Sequence, residues 1–175
     1  MRTKGHRRVA FLNPKKGKSS LEHMKKEFRF ACEVRGLEFR ALESASDRVA
    51  TWPEPALMSA DELGPLVDQW RAIPAAERPT AVFVPADNIA IHLYAALERV
   101  GLRIPDDISI IACNYERSLI SSFKPALTTM NVSASQIGAK SVAQLLGRLD
   151  HSGDLPEQTL LLEPTLVPGQ SVGQL

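Results

Sequence analysis

Cysteine is scarce: Cys32 and Cys113 are the two in 175 residues. Neither falls in a metal-binding or redox spacing, which argues against a zinc module or a disulfide-framed scaffold and makes a reduced, cytoplasmic setting the expectation. Long apolar runs are missing too. None approaches the roughly 18–20 residues that cross a bilayer, and the basic N-terminus lacks the apolar segment of a signal peptide. No membrane partner is expected. Charge of one sign is also lacking overall, with a net +1 from 21 basic and 20 acidic residues. Strong DNA binding rests on neutralising several phosphates at once, so a chain this balanced is poorly suited to it unaided. The balance hides an asymmetry: ten Lys/Arg stand against two Glu up to Arg29, and residues 30–175 carry about −7. That basic stretch reads as a solvated surface around a strand entrance, with nucleic-acid contact as the alternative.

What is present is alternation. With 44% apolar and 23% charged residues, the composition is that of one ordinary globular domain with a proper core. Arg8–Asn13 (RVAFLN) reads as a first strand. Leu21–Arg35 follows as a helix whose Leu21, Met24, Phe28 and Cys32 recur every three or four residues on one face. Gly36 stands where such a helix ends in a left-handed turn, and Leu37–Leu42 reads as a second strand. Residues 43–58, with Pro53 and Pro55, read as a loop. The next helix has two possible starts: a capping box at Ser59 and Glu62, or the neighbourhood of Pro65. Leu66, Val67, Trp70 and Ile73 form its buried stripe in either case.

The densest signal lies between Pro79 and Glu116. An apolar strand (Ala81–Pro85) meets the polar break Ala86-Asp87-Asn88, then a helix with Leu93, Leu97 and Val100 on one stripe and Ile91 and Tyr94 off it. Gly101 stops that helix, and a Pro-Asp-Asp turn leads into the strand Ile108–Cys113. This is a parallel β-α-β unit, and ligands gather at the carboxyl ends of such strands. Lys124–Met130 reads as extended. Ser133–Gln136 opens a last helix to about Leu149, with Ile137, Val142, Leu145, Leu146 and Leu149 inward. Asp150–Pro156 reads as a turn. Thr159–Leu162 and Thr165–Val167 complete a final strand around Pro164. The fold class is α/β: a doubly wound, mostly parallel sheet flanked by helices.

These residues resemble the effector-binding domain of the LacI/GalR transcription regulators, which has the fold of the periplasmic sugar-binding proteins. Gly5-His6-Arg7-Arg8-Val9-Ala10-Phe11-Leu12 is similar to the family's crossover into its C-terminal subdomain. Gly101-Leu102-Arg103-Ile104-Pro105-Asp106-Asp107-Ile108-Ser109-Ile110 resembles its most recognisable phrase. Leu127-Thr128-Thr129, with Gly138 after it, resembles the return segment. The resemblance implies that residues 1–175 are the C-terminal subdomain of an effector-binding domain, with a return segment at about 127–150. The helix-turn-helix, hinge and N-terminal subdomain would lie upstream of Met1. DNA would be a partner only through that helix-turn-helix.

The same resemblance implies where a small-molecule effector, a sugar or related metabolite, would touch. Matching ligand positions are Ser20, Met24, Ala86, Asp87, Asn114 and Tyr115. Met24 stands where the family offers an arginine, and Ala86 where it offers an asparagine; Val132 and Ala134 match two further contact positions and are apolar. These departures argue against ordinary monosaccharide recognition, since each unpaired buried polar group costs roughly 1–3 kcal/mol. Asp87 is read first as the cap of its helix and second as a ligand contact. Trp52 would flank the cleft or pack on the domain. The resemblance also implies a homodimer through Ala90, Ile91, Tyr94 and Leu119–Phe123, with packing inside the domain as the alternative. The last helix would normally lie on the other subdomain; without it, the helix would fold back, pair with another chain or be mobile.

An enzyme reading has less support. Asn13-Pro14-Lys15-Lys16-Gly17-Lys18-Ser19-Ser20 resembles a phosphate- or nucleotide-binding loop, but the pattern needs glycine where Leu12 stands. Cys113 has no histidine placed to activate it. His6, His23, His92 and His151 have no metal-ligand spacing, so no catalytic residue, metal or cofactor is expected. The expected function is a non-catalytic sensor, with the NPKKGKSS loop as the alternative site of a phosphate- or nucleotide-binding protein.

Overall fold

A computed structural model describes residues 1–45, 59–150 and 158–175. After a short 3-10 turn at Arg2–Lys4 the order is β1 (Arg8–Asn13), α1 (Ser19–Val34), β2 (Glu38–Glu43), α2 (Ala60–Ala72), β3 (Ala81–Phe83) and α3 (Asp87–Arg99). Then come β4 (Ser109–Asn114), α4 (Arg117–Ile120), β5 (Thr128–Asn131), α5 (Ala134–Asp150) and β6 (Thr165–Val167). The six strands form one sheet in the order β2-β1-β3-β4-β5-β6. The first five are parallel, and β6 alone runs antiparallel, against β5.

β1 lies inside this sheet, and Val9 through Asn13 are all buried. A continuous apolar strand of this kind belongs where both faces are covered. Alternate residues feed two layers. Ala10, Leu12, Val82, Val84 and Ile110 face a core shared with Leu63, Leu66, Val67 and Trp70 of α2 and Leu93 and Leu97 of α3. On the other face α1 brings Phe28 to stack on Phe83, with centroids 4.9 Å apart, and to lean on Phe11 and Phe39. Each fully buried Leu or Phe side chain contributes roughly 1.5–3 kcal/mol. Both α1 and α3 end alike. Gly36 (φ 64°) and Gly101 (φ 73°) take the left-handed turn. Leu37 N–H donates back to Cys32 O, and Leu102 N–H to Leu97 O, closing orphan carbonyls.

One open reading is decided, and several expectations need correction. α2 starts at the Ser59 cap, whose hydroxyl accepts from Glu62 N–H at 3.4 Å, and Pro65 sits inside the helix. Val100 is 41% exposed, because it is the residue at which α3 stops; Ile89, Ala90 and Ala96 complete the buried face instead. Thr159–Leu162 does not join the sheet, since β6 spans only Thr165–Val167 between Pro164 and Pro168, which cannot donate to a ladder. The stripe expected to point inward on α5 is open: no residue of α5 is buried, and Leu149 is 71% exposed. Helical spacing marks an apolar face without saying what lies against it. Ser133 (φ 57°) takes a left-handed turn, and its N–H is received by Asn131 Oδ1 at 2.8 Å. Pro53, Pro55 and Trp52, and most of the Asp150–Pro156 turn including His151, lie outside the described residues.

The two chain ends are joined at the amino edge of the sheet. Leu175 N–H donates to Lys4 O. Ser171, fully buried, accepts from Thr128 N–H and donates to Ile110 O. His6, 1% exposed, contacts the Thr80 hydroxyl through Nδ1 (2.9 Å) and Gly173 O through Nε2 (3.3 Å). Burial pushes the His6 pKa down, against the raising effect of the Gly173 carbonyl. The unfolded chain therefore takes up this proton first, near the ordinary histidine pKa of about 6.5. Stability should be full above that pH and fall as pH is lowered through the interval beneath it. We predict that the drop in urea midpoint between pH 7.5 and pH 5.5 is smaller in His6→Gln than in the parent chain. An equal drop in both would show that His6 is not the linked group.

Candidate functional site

Strand order reverses at β1. The chain leaves it for β2 on one side and returns as β3 on the other, so the crevice at the carboxyl ends of β1 and β3 is the topological switch point. Neighbouring strands lie about 4.8 Å apart, which keeps the ends of β1, β3 and β4 along one short edge. Ser20 and Met24, four apart on α1, share a helix face at that edge. Ala86 and Asp87 join β3 to α3, and Asn114 and Tyr115 close β4. Topology thus brings all six expected ligand positions to one edge. Ser20 is exposed; Met24, Ala86, Asn114 and Tyr115 are half-buried. Asp87 is fully buried.

Asp87 is not a cap. Ala86 occupies the capping position and has no side chain for the task. The Asp87 carboxylate points across the sheet edge instead. Its Oδ2 accepts from Glu116 N–H at 2.6 Å and its Oδ1 from the Thr129 hydroxyl at 2.6 Å. Sequence distance hid both partners.

Backbone strain collects at the same edge. Asn114 (φ 108°), Tyr115 (φ 59°) and Ser133 (φ 57°) are the non-glycine residues with positive φ among those described. Such conformations cost of order 1–3 kcal/mol each and persist where their surroundings hold them. The Arg117 guanidinium lies 5.9 Å from the centre of the Tyr115 ring.

A polar network unannounced by the sequence closes the β1–β2 end. Asn13 is fully buried, and its Nδ2 donates to Glu22 Oε1 (2.8 Å) and Glu43 Oε1 (3.2 Å). Lys25 Nζ bridges Glu22 Oε2 (2.6 Å) and Glu43 Oε1 (2.5 Å). The Lys25 ammonium holds the Glu22 carboxyl below the usual carboxylate range. Burial works against the Lys25 charge, but the two carboxylates outweigh it and its pKa lies above the ordinary value. The i,i+3 pairing of Glu22 with Lys25 was the available signal; Asn13 and Glu43 were too distant in sequence to be added.

The same network bears on the phosphate-loop alternative. Lys15 N–H donates to Asn13 Oδ1 (3.3 Å), Lys16 N–H to Ser44 Oγ (3.4 Å) and Gly17 N–H to Glu22 Oε1 (3.3 Å). A phosphate cradle needs such groups turned toward an anion. Here they already serve acceptors of the chain itself, one of them a carboxylate. Cys113 gives no support to covalent chemistry, because burial pushes its thiol pKa up.

The expected dimer residues divide. Ala90 (0% exposed) and Phe123 (4%) belong to the interior, a correction to their reading as surface. Tyr94 meets Phe123 edge-on at 4.9 Å, and Ile91 and Leu119 pack half-buried against the same core. The cause is α4, a one-turn helix that covers the off-stripe side of α3. Among the described residues the buried Tyr94 hydroxyl has no partner in hydrogen-bonding geometry; burial pushes its pKa up to about 12, against the lowering effect of the nearby Ser171 hydroxyl.

Residues 1–172 match the family described as "periplasmic binding protein-like domain". Among curated proteins, the HTH-type transcriptional repressor PurR of Edwardsiella ictaluri is 38% identical over 96 residues, 55% of this chain and 28% of that protein. The ribose operon repressor of Haemophilus influenzae is 38% identical over 98 residues, 56% of this chain and 29% of its own. The aligned stretch is thus under a third of either repressor. Among solved structures, a LacI family transcriptional regulator from Mycobacterium smegmatis superposes with TM-score 0.72 at 24% identity, covering 98% of this chain and 59% of that one. A LacI family regulator from Enterococcus faecalis, crystallised with bound ribose, gives 0.74 at 24%, covering 99% and 57%. At these identities the structural neighbours establish the fold.

Proposed function

The chain belongs to the periplasmic binding protein-like domain family, and from that premise we propose that it is part of the effector-binding domain of a LacI-type transcription regulator, like the repressors it is similar to, with its carboxyl edge as one wall of an effector cleft. The observation that carries this reading is the strained, left-handed pair Asn114–Tyr115 at the end of β4, beside the switch point. An asparagine there can donate to and accept from a ligand. Ser20, Met24 and Ala86 line the neighbouring strand and helix ends, and Asp87 supports the wall from beneath. With Met24 and Ala86 in place of polar groups, the preferred effector is less hydroxyl-rich than a free monosaccharide.

The exposed stripe of α5 supports a second wall outside this chain: Ile137, Val142, Leu145, Leu146 and Leu149 are each about half exposed or more. An apolar helix face of that kind belongs against a further subdomain. In the whole regulator, effector binding would favour one orientation of the two walls only by unequal affinity for the two, and operator affinity would follow. The relatives are named as repressors, which supports sensing over catalysis. DNA contact is assigned to a helix-turn-helix of the whole regulator. No helix among the described residues is long and apolar enough to cross a membrane, and a cytoplasmic setting fits a regulator of transcription. Dimerisation is assigned to the half-buried Ile91, Tyr94 and Leu119, with Ala90 and Phe123 as the packing beneath them.

Two outcomes are expected. In a calorimetric screen of ribose and other sugars, nucleosides and phosphates, any compound that binds should lose about tenfold or more in affinity in Asn114→Ala; undiminished affinity would place the site elsewhere. Light scattering at tens of micromolar should return twice the 19.2 kDa chain mass, and a monomeric mass would remove the dimer from the proposal.

A further inference from the structure

Asp87 stands apart from the other polar groups of the edge. It is fully buried, no cation pairs with it among the described residues, and both of its partners are donors on other elements. A buried carboxylate without a cation is costly unless its oxygens are well served. Here one oxygen takes the backbone N–H of Glu116, the residue that follows the left-handed Asn114–Tyr115 pair, and the other takes the Thr129 hydroxyl in β5. Two donors need two acceptors, which a carboxylate supplies outright and an amide supplies only by forcing the threonine to turn.

We propose that Asp87 is a positioning residue, whose carboxylate clamps the Asn114–Tyr115 turn in its receptive left-handed form and ties it to β5. The ligand side of this inference rests on the edge being an effector wall; the clamp itself does not. Its link to β5 continues toward α5, because Asn114 pairs with Asn131 in the ladder and Asn131 Oδ1 receives Ser133 N–H. The clamp therefore joins the wall to the segment that leads out of the sheet.

The test compares amide hydrogen exchange in the full chain and in Asp87→Ala, Asp87→Asn and Thr129→Val. Exchange at Tyr115 and Glu116 should quicken by about tenfold or more in Asp87→Ala, less in Asp87→Asn, while Phe11 and Ile110 keep their protection. Thr129→Val preserves strand shape and covers the case in which Asp87→Ala does not fold; it should loosen the same two amides. Unchanged protection at Tyr115 and Glu116, or an equal loss across the whole core, overturns the clamp. Calorimetry with adenosine as probe, less hydroxyl-rich for its size than a free sugar, separates the two ideas. Local loosening with no adenosine heat in the parent chain leaves the clamp standing and removes adenosine as effector, whereas equal adenosine affinity in parent and Asp87→Asn removes the role of Asp87 in binding.

Discussion

Five parallel strands with a reversal at β1 are the constraint on which the rest depends. Parallel pairing sends every carboxyl end to the same edge, and the apolar strand interiors require cover on both faces. The polar residues Asn13, Asn114 and Asn131 each end a strand. They therefore meet at one rim without having been neighbours in sequence. Helices crossing above and below fix the rim, since α2 and α3 bury one face and the Phe28–Phe83 stack helps bury the other.

That foundation is what allows strain at the rim. Three non-glycine residues in left-handed conformations cost of order 1–3 kcal/mol each, while each well-buried Leu or Ile beneath them returns roughly 1.5–3 kcal/mol. Leu12, Leu63, Leu66, Leu97, Ile110 and Leu127 are all 2% exposed or less, so the core outweighs the strain. The polar rim is in turn held by named bonds. Asp87 secures the β4 end, and Asn13 with Glu22, Lys25 and Glu43 secures the β1 and β2 ends. A rim held this way is braced from its sheet side at both ends.

Most of the fold was legible because its signals are local. Arg8–Asn13 is a strand to the residue, Gly36 and Gly101 stop their helices, and the Ser59 cap decides the start of α2. What could not be read depends on contacts between distant residues. Asp87 looks like a cap by position, and only the fold shows Thr129 beside it. Ala90 and Phe123 look like surface until α4, four residues long, is seen to cover α3. The α5 stripe repeats as a buried helix would, yet periodicity records that a face is apolar and never names its partner. Resemblance named six positions that the fold brings to one edge; it did not foresee that Asp87 among them turns inward, to Glu116 and Thr129.

The most direct measurement is a map of backbone amide shifts as a binding compound is titrated into the isotope-labelled chain. A ligand wall at the carboxyl edge predicts changes confined to Asn13–Lys25, Ala86–Asn88, Asn114–Glu116 and Asn131–Ser133. Changes centred instead on the amino edge, around His6, Thr80 and Gly173, or on the outer face of α2 would contradict it.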